Sequence, residues 1–520
     1  MKKAFVALLA SLIAVSAFAG CGGGSGGSSG ESLTAETIST DTSEKVHLIM
    51  WTSGTASRDH EKVADKLSEL AERDLNATLE WNRYPDIQKL NLLLTSGEKI
   101  DLIYTANYQN YAVYAAKGAF NPLDELVPAV SPALQEYVTE EMWDATRVGG
   151  SIYMVPCMWP EYVPYGFLWR EDLRKKYDLP EIDLNDLSTV EAYLDCIIEN
   201  EPGMKPLAEV VSSYGSLGSH FTTWEFLDYK YTWADFRVPY GLYIDYYDPT
   251  NVINWWETED FANDMKLFKS WADKGYWSKS SLANTEAKQD QFEAGTLAAD
   301  LAFNSPSGYA NLVARVEVSH PDWEVGWYPL YRAKQLATPN HATQNGMSVP
   351  ISSENPERAI MLLEKLTLDE EWYDLSQYGI EGEHYTRTAD GYYESIGDAS
   401  ASGFAREAGN LWCTRNTAFM LYPETTAKIL TELNSEFDTY AHPNIWTGFS
   451  EDTEPYQTER AALANVITQY LPAIQAGLVD DVDASIAEFL EKAEEAGLSK
   501  VREEYTKQWL AYVEEMGLAK

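Results

Sequence analysis

From Lys45 onward, short apolar runs alternate with stretches whose apolar residues recur every three or four positions. The run VHLIMW (46–51) predicts a buried strand, and TSGTASRD after it predicts a turn. The following EKVADKLSELAERDL carries Val63, Leu67, Leu70 and Leu75 on one face and predicts a helix. TLEWNRY (78–84) predicts a second strand, DIQKLNLLLTSG a helix closed by Gly97, and KIDLIYT (99–105) a third strand. Strand, helix, strand, helix, strand in this order implies a parallel α/β sheet, and such sheets bind ligands beyond the carboxyl ends of their strands. Those ends are Trp51, Thr52 and Ser53 in one place and Tyr104 to Asn107 in another.

The periodicity changes character further along. Residues 160–330 are crowded with aromatics, as in TTWEFLDYKYTWADF, INWWE and KSWADKGYW. The last hundred residues carry helical spacing, in ERAALANVITQYLPAIQAGL and in DASIAEFLEKAEEAGLSKVREEYTKQWLAYVEEM. No internal repeat is visible.

Composition then narrows the function. The 520 residues hold 39 Lys and Arg against 81 Asp and Glu, a net charge of −42. A protein that neutralises phosphates needs a cationic footprint, so nucleic acid is excluded as a partner, and so is attraction to an anionic membrane surface. At 45% hydrophobic and 13% aromatic the chain can pack a core, and its length predicts two or three domains. Trp and Tyr serve both as core filler and as flat contact surface for ligands.

The first twenty residues have the form of a secretory signal peptide, with Lys2 and Lys3 before an apolar run from Ala4 to Ala19 that is too short to span a membrane comfortably. Phe18-Ala19-Gly20-Cys21 resembles the bacterial lipobox, which implies that Cys21 is acylated, palmitate included, and becomes the mature N-terminus. Two or more acyl chains anchor stably where one does not. The Gly/Ser-rich stretch 21–43 has almost nothing to bury and is expected to be a flexible tether with a span of about 25–30 Å. Cys157, Cys196 and Cys413 are widely spaced and odd in number, so buried free thiols are expected rather than a disulfide framework or metal ligands.

Several segments in order resemble the extracellular solute-binding lipoproteins of bacterial ABC importers, in particular a carbohydrate-type, LipO-like group with a distinctive C-terminal domain. They are SGEKIDLIYT, AAKGAFNPLDELV, GGSIYMVPCM, GFLWREDLRKKYDL, the long SVPISSENPERAIMLLEKLTLDEEWYDLSQYGIEGEHYT, NIWTGFSEDTEP and AGLSKVREEYTKQW, and they run from about 46 to 512. The 205–260 region has no counterpart in the resemblance. The resemblance implies a two-lobed α/β fold of the periplasmic-binding-protein type II, with lobes joined by hinge strands and a ligand cleft between them. Lobe one is then expected at 44–158 with 329–404, and lobe two at 159–328 with 405–520, helical C-terminal domain included. The implied function is capture of a carbohydrate, a small oligosaccharide, and its delivery to the permease subunits of an ABC transporter. The receptor is expected to be a monomer, extracytoplasmic and held to the membrane only by its lipid anchor.

A sugar presents hydroxyls at its rim and apolar C–H faces, so its site needs aromatic plates and hydrogen-bonding side chains. The candidates are Trp51, Thr52, Ser53, Asn107 and Tyr108 at the strand ends, and Trp159, Tyr162 and Trp169 around the first crossover. Asn304 is placed at a strand-end loop in lobe two, Trp327 and Tyr328 at the second crossover, Glu381 in Gly-Ile-Glu-Gly, and Trp446 near the third crossover. Each has a structural alternative: core packing for the tryptophans, helix capping for Thr52 and Ser53, an ion pair for Glu381.

A peptide or other charged solute is the alternative ligand, and would be favoured by a cleft dominated by carboxylates or by unpaired Arg and Lys. A surface glycosidase with two carboxylates about 5–10 Å apart is a third reading, but no nucleophile-elbow, zinc-protease, P-loop or dinucleotide-binding motif stands in its required context. No enzyme activity, cofactor or metal is expected; Asp480-Asp481-Val482-Asp483 resembles a calcium loop only loosely and is read as a solvated turn.

Overall fold

The computed structural model describes residues 38–519, apart from 159–161, 215, 216, 236, 285, 398–402, 447 and 450. The signal segment, Cys21 and all but the end of the tether lie outside the described residues. The strands that position the site are β1 (Val46–Ser53), β2 (Ala77–Tyr84), β3 (Leu102–Thr105), β4 (Val155–Pro156), β5 (Tyr165–Arg170), β6 (Lys205–Leu207), β7 (Leu297–Asn304), β8 (Val325–Pro329) and β9 (Gly346–Ser348).

One sheet has the order β2-β1-β3-β9-β4 and the other β8-β5-β7-β6. In the first, β1 runs parallel to β2, pairing Val46 with Ala77 through Ser53 with Tyr84, and parallel to β3. The parallel α/β start expected from the periodicity is therefore present. β9 returns from the other half of the molecule to lie antiparallel to both β3 and β4. Helix α1 (His60–Leu75) buries Val63, Leu67 and Leu75 against this sheet, and ends on Asn76, whose left-handed backbone (φ 46°) closes the helix. Helix α2 (Ile87–Ser96) starts where Asp86 accepts the Lys89 N–H (2.8 Å) and stops at Gly97. The third strand is shorter than its pattern predicted. Before Leu102 the Asp101 carboxylate, rather than the strand ladder, takes the Ile49 N–H at 3.0 Å.

In the second sheet β5 pairs antiparallel with both β8 and β7, and β7 runs parallel to β6. Two glycines admit tryptophans across the strand pair: a Cβ on Gly326 would lie 2.2 Å from the Trp169 ring, and one on Gly166 would lie 2.0 Å from the Trp327 ring. The aromatic crowding of 160–330 is core. Trp224, Trp233, Trp255, Trp256, Trp271 and Trp277 are all buried, and rings such as Trp224 and Trp255 meet edge to face at 5.3 Å.

Each sheet has its own hydrophobic core. Phe404, Leu411 and Cys413 belong to the first core, so lobe one continues past the expected boundary at 404. The chain returns to the second half with the helix Glu424–Phe437, whose Leu433 and Phe437 pack beside Leu312 and Val316 of the helix Pro306–Ser319. The C-terminal segment forms three helices, α3 (Gln457–Gln475), α4 (Val482–Glu495) and α5 (Leu498–Glu515). The long helical pattern after 483 is interrupted at Gly497, whose φ of 96° belongs to the left-handed region. Asp481 is a helix cap, accepting the Ala484 N–H at 3.0 Å, and Asp483 pairs with Lys266, so the acidic run 480–483 serves local structure.

Candidate functional site: the rim of the first sheet and its crossovers

The carboxyl ends of β1, β2 and β3 come together with the turn 407–414 and with the crossovers between the two halves. Trp51 stays half-buried at the end of β1, with Lys89 of α2 lying 5.3 Å over its ring. Thr52, one residue on, points the other way and is fully buried. Its hydroxyl accepts from Trp81 Nε1 (2.9 Å) and Arg83 Nη1 (2.8 Å) and donates to the Gly409 carbonyl (3.0 Å). That hydroxyl has no capacity left for a ligand, and Thr52 is corrected from candidate contact to structural bolt. Ser53 is buried too and its carbonyl accepts from Asn410 Nδ2 at 2.9 Å. Neither residue caps α1, whose N-cap position is Asp59.

At the end of β3, Tyr108 presents a ring that is 49% exposed, and Asn107 accepts the Tyr108 N–H (2.6 Å). Behind them runs a chain of phenols. Tyr108 and Tyr104 hydroxyls lie 2.8 Å apart, Tyr104 donates to Asn345 Oδ1 at 2.5 Å, and the Tyr84 hydroxyl lies 2.8 Å from Gln109 Oε1. Burial holds the Tyr104 phenol well above its ordinary range and raises Tyr108 as well, so both are neutral hydrogen-bonding groups. Asn345 stands just before β9, and its carbonyl accepts the Cys157 N–H (2.9 Å), joining the first and second crossovers. Trp412 meets Tyr104 edge-on at 6.3 Å. Cys157, Cys196 and Cys413 are in no disulfide, two of them buried and Cys196 partly so.

On the other side of the crossovers, Tyr162 donates to Asp438 (3.0 Å) and packs against Phe437. Trp446 is half-buried, with the His341 ring edge-on to it at 4.4 Å and the Arg237 guanidinium 4.2 Å over its face. Trp159 and the Asn304 side chain lie outside the described residues.

Four further candidates move away from the rim. Trp169 lies at the far end of β5 in the core, its indole donating to Glu171 (2.8 Å). Trp327 and Tyr328 face opposite sides of β8, both buried, with Trp327 stacked on Tyr309 at 5.2 Å. They precede the second crossover instead of lining it, because the strand continues through Pro329 and a short helix follows. Glu381 is exposed, turned outward between the left-handed Gly379 and Gly382, and makes neither the expected ion pair nor a contact with the strand ends among the described residues. It bridges to Tyr385 in a hairpin packed on Tyr373, Tyr378 and Tyr393.

Sequence reasoning missed Arg83, Asn345, Asn410 and Trp412. The first was legible as a strand-end residue in TLEWNRY; the others depend on which distant turn folds over the rim.

The structure superposes on known structures along nearly the whole chain. A solved N-glycan transport solute-binding protein, NgtS of Streptococcus pneumoniae, superposes with a TM-score of 0.71 at 20% identity, covering 90% of this chain and 99% of that one. An extracellular solute-binding protein from Bifidobacterium longum subsp. infantis gives a TM-score of 0.66 at 13% identity, over 91% and 100%. In sequence, a carbohydrate ABC transporter substrate-binding protein of Streptococcus pneumoniae is 24% identical over 486 residues, 90% of this chain and 91% of the relative. The chain is a relative of the ABC-transporter solute-binding proteins. Its fold is their type II fold, two α/β lobes joined by crossovers. Residues 445–514 match a family model described as a domain of unknown function, DUF3502. In this solute-binding fold that segment is the Trp446–Phe449 turn with α3, α4 and most of α5. It is fixed to the second lobe by Trp509, whose indole donates to the Pro249 carbonyl at 2.7 Å.

Proposed function

We propose that this protein is the extracytoplasmic receptor of an ABC importer, which captures an oligosaccharide between its lobes and hands it to a membrane permease. The observation that carries the reading is the rim where both crossovers meet the strand ends. There the exposed Tyr108 stands with the neutral phenol of Tyr104 and the amide of Asn345, and Trp51 is half-buried at the neighbouring strand end, the chemistry a hydroxylated ring with apolar faces requires. A relative aligned over 90% of the chain is named as a carbohydrate transporter's binding protein, and the NgtS fold has been solved with Man1GlcNAc and with Man5GlcNAc. Trp51, Asn107 and Tyr108 are the lobe-one contacts in this reading. Trp159, Tyr162, Asn304 and Trp446 are the contacts from the crossovers and lobe two. Cys21 carries the lipid anchor, the mature receptor acts as a monomer, and no bond of the ligand is broken.

Isothermal titration against a panel of neutral and acidic mono- and oligosaccharides tests it. At least one glycan binds with a stoichiometry of one, and Tyr108→Ala together with Trp51→Ala weakens that binding at least tenfold. Loss of one well-stacked aromatic contact is worth about 0.5–1.5 kcal/mol, so losing the pair reaches that threshold. Silence across the panel would reject the carbohydrate reading.

A further inference from the structure

Beneath the lobe-one rim lie two cysteines that take no part in ligand capture. Side chains alternate along a strand, so residues directly opposite on neighbouring strands share a face. Met347 of β9 pairs with Val155 on one side and with Tyr104 on the other. Two residues earlier, Asn345 stands on the same face: its carbonyl takes the Cys157 N–H at 2.9 Å, and its side chain meets the Tyr104 hydroxyl. Tyr104, Asn345 and Cys157 therefore lie on one face of the first sheet.

The turn Trp412–Thr414 packs on that face, since its Trp412 ring meets Tyr104 edge-on and Cys413 joins the first core. Cys413 is 5% exposed and Cys157 7%. Burial pushes the Cys413 thiol well above its ordinary range, and the Cys157 thiol is the next influence on it. That influence exceeds those of the Cys413 and Thr414 backbone N–H groups at the sulfur, and charge interactions fall with distance. The two sulfurs are neighbours. Cys196 stands apart from them, on the helix Ser188–Asn200 of the second lobe.

We infer that Cys157 and Cys413 form a disulfide in the mature protein, a covalent staple between the first crossover and the turn that closes over the strand ends. The chain folds outside the cytoplasm, where thiols that meet are oxidised. Each thiol gives up a proton, and the pair gives up two electrons to a disulfide oxidant, an oxidoreductase in the cell or oxidised glutathione in vitro. The oxidant's S–S bond breaks and it leaves as two thiols. The staple joins residues roughly 250 apart in the chain, so it removes much of the unfolded chain's freedom. The turn it anchors also carries the Gly409 carbonyl that Thr52 binds, so the rim is fixed before a ligand arrives.

The full chain, refolded in a glutathione redox buffer and unfolded again without reductant, is alkylated with iodoacetamide and mapped by mass spectrometry. Cys196 is alkylated, and a Cys157–Cys413 cross-linked peptide is found that disappears on reduction. Reductant also lowers the melting of the first lobe by at least about 5 °C. Cys157→Ala, Cys413→Ala and the double variant each melt alike with and without reductant. The second substitution costs little once the first has removed the bond, whereas two separate packing contacts would add. Alkylation of Cys157 and Cys413 without reductant, cross-links to Cys21 or Cys196 instead, or a wild-type melting temperature that reductant leaves unchanged overturns the inference. Each of those results leaves the receptor standing, and silence of every sugar in the titrations leaves the staple standing.

Discussion

His220 and His341 show how burial sets the behaviour of single residues here. His220 stacks on Trp224 with ring centroids 4.6 Å apart. His341 lies in the second crossover against Trp446, near Arg237 and Asp235. Desolvation pushes each imidazole down to about 3, from an ordinary value of 6.5. In the unfolded chain both protonate as pH falls through 6.5, while the folded protein resists until about 3. The unfolded state therefore binds more protons in that window, and stability present above pH 6.5 is lost progressively as pH falls toward 3. Urea unfolding at stepped pH values checks this: His220→Phe has a shallower loss between pH 6.5 and 4 than the wild type, and an unchanged slope refutes the assignment. The same contrast explains what was legible residue by residue. Trp51 and Thr52 are neighbours on one strand, so their sequence marks the rim equally. Only the alternation of the strand, and the arrival of Gly409 from more than 350 residues away, makes Thr52 inaccessible.

At the level of elements, the first sheet was readable because its strands and helices are consecutive and locally patterned. β1, α1, β2 and α2 stand where periodicity put them, and capping by Asp86 and Gly97 is a local signal. The second sheet resisted for the opposite reason. Its strands come from 165, 205, 297 and 325, and the aromatic residues between them pack in lobe two instead of lining a cleft. Trp169 and Trp327 looked like plates flanking crossovers, yet each fills the space over a glycine on the neighbouring strand. That packing is testable at Gly326, where a methyl group would meet the Trp169 ring. Gly326→Ala destabilises the protein by about 1–3 kcal/mol in chemical denaturation, the usual range for overpacking a filled core. The double variant Gly326→Ala with Trp169→Phe recovers part of the loss. No recovery would mean that the ring contact is not what the glycine protects.

Across the whole molecule, the described residues form two main cores with no member in common, joined through the crossovers, and this shapes how it unfolds and what a ligand does to it. The first core draws on residues from Leu48 to Cys413, the second on residues from Phe167 to Val513, and they share no members. Asn345 sits at the junction, tied by its carbonyl to Cys157 and by its side chain to Tyr104. With so little between them, the two lobes of the free protein melt as separate units, and calorimetry resolves two transitions. A ligand that touches both lobes changes this, because it is released when either one unfolds. At a hundredfold excess over its dissociation constant such a ligand opposes the first lobe's unfolding by about 2.7 kcal/mol. That raises the lower transition by about 5–10 °C, since a kcal/mol is worth about 2–4 °C in domains of this size, while the more stable lobe, ligand-free once the other has unfolded, melts at its own midpoint until the two merge. The two transitions also draw together, because losing either lobe now costs the same bound state. A sugar gripped by the more stable lobe alone would instead raise the upper transition and drive the two apart. That outcome would contradict closure between the lobes even if the titration showed tight binding.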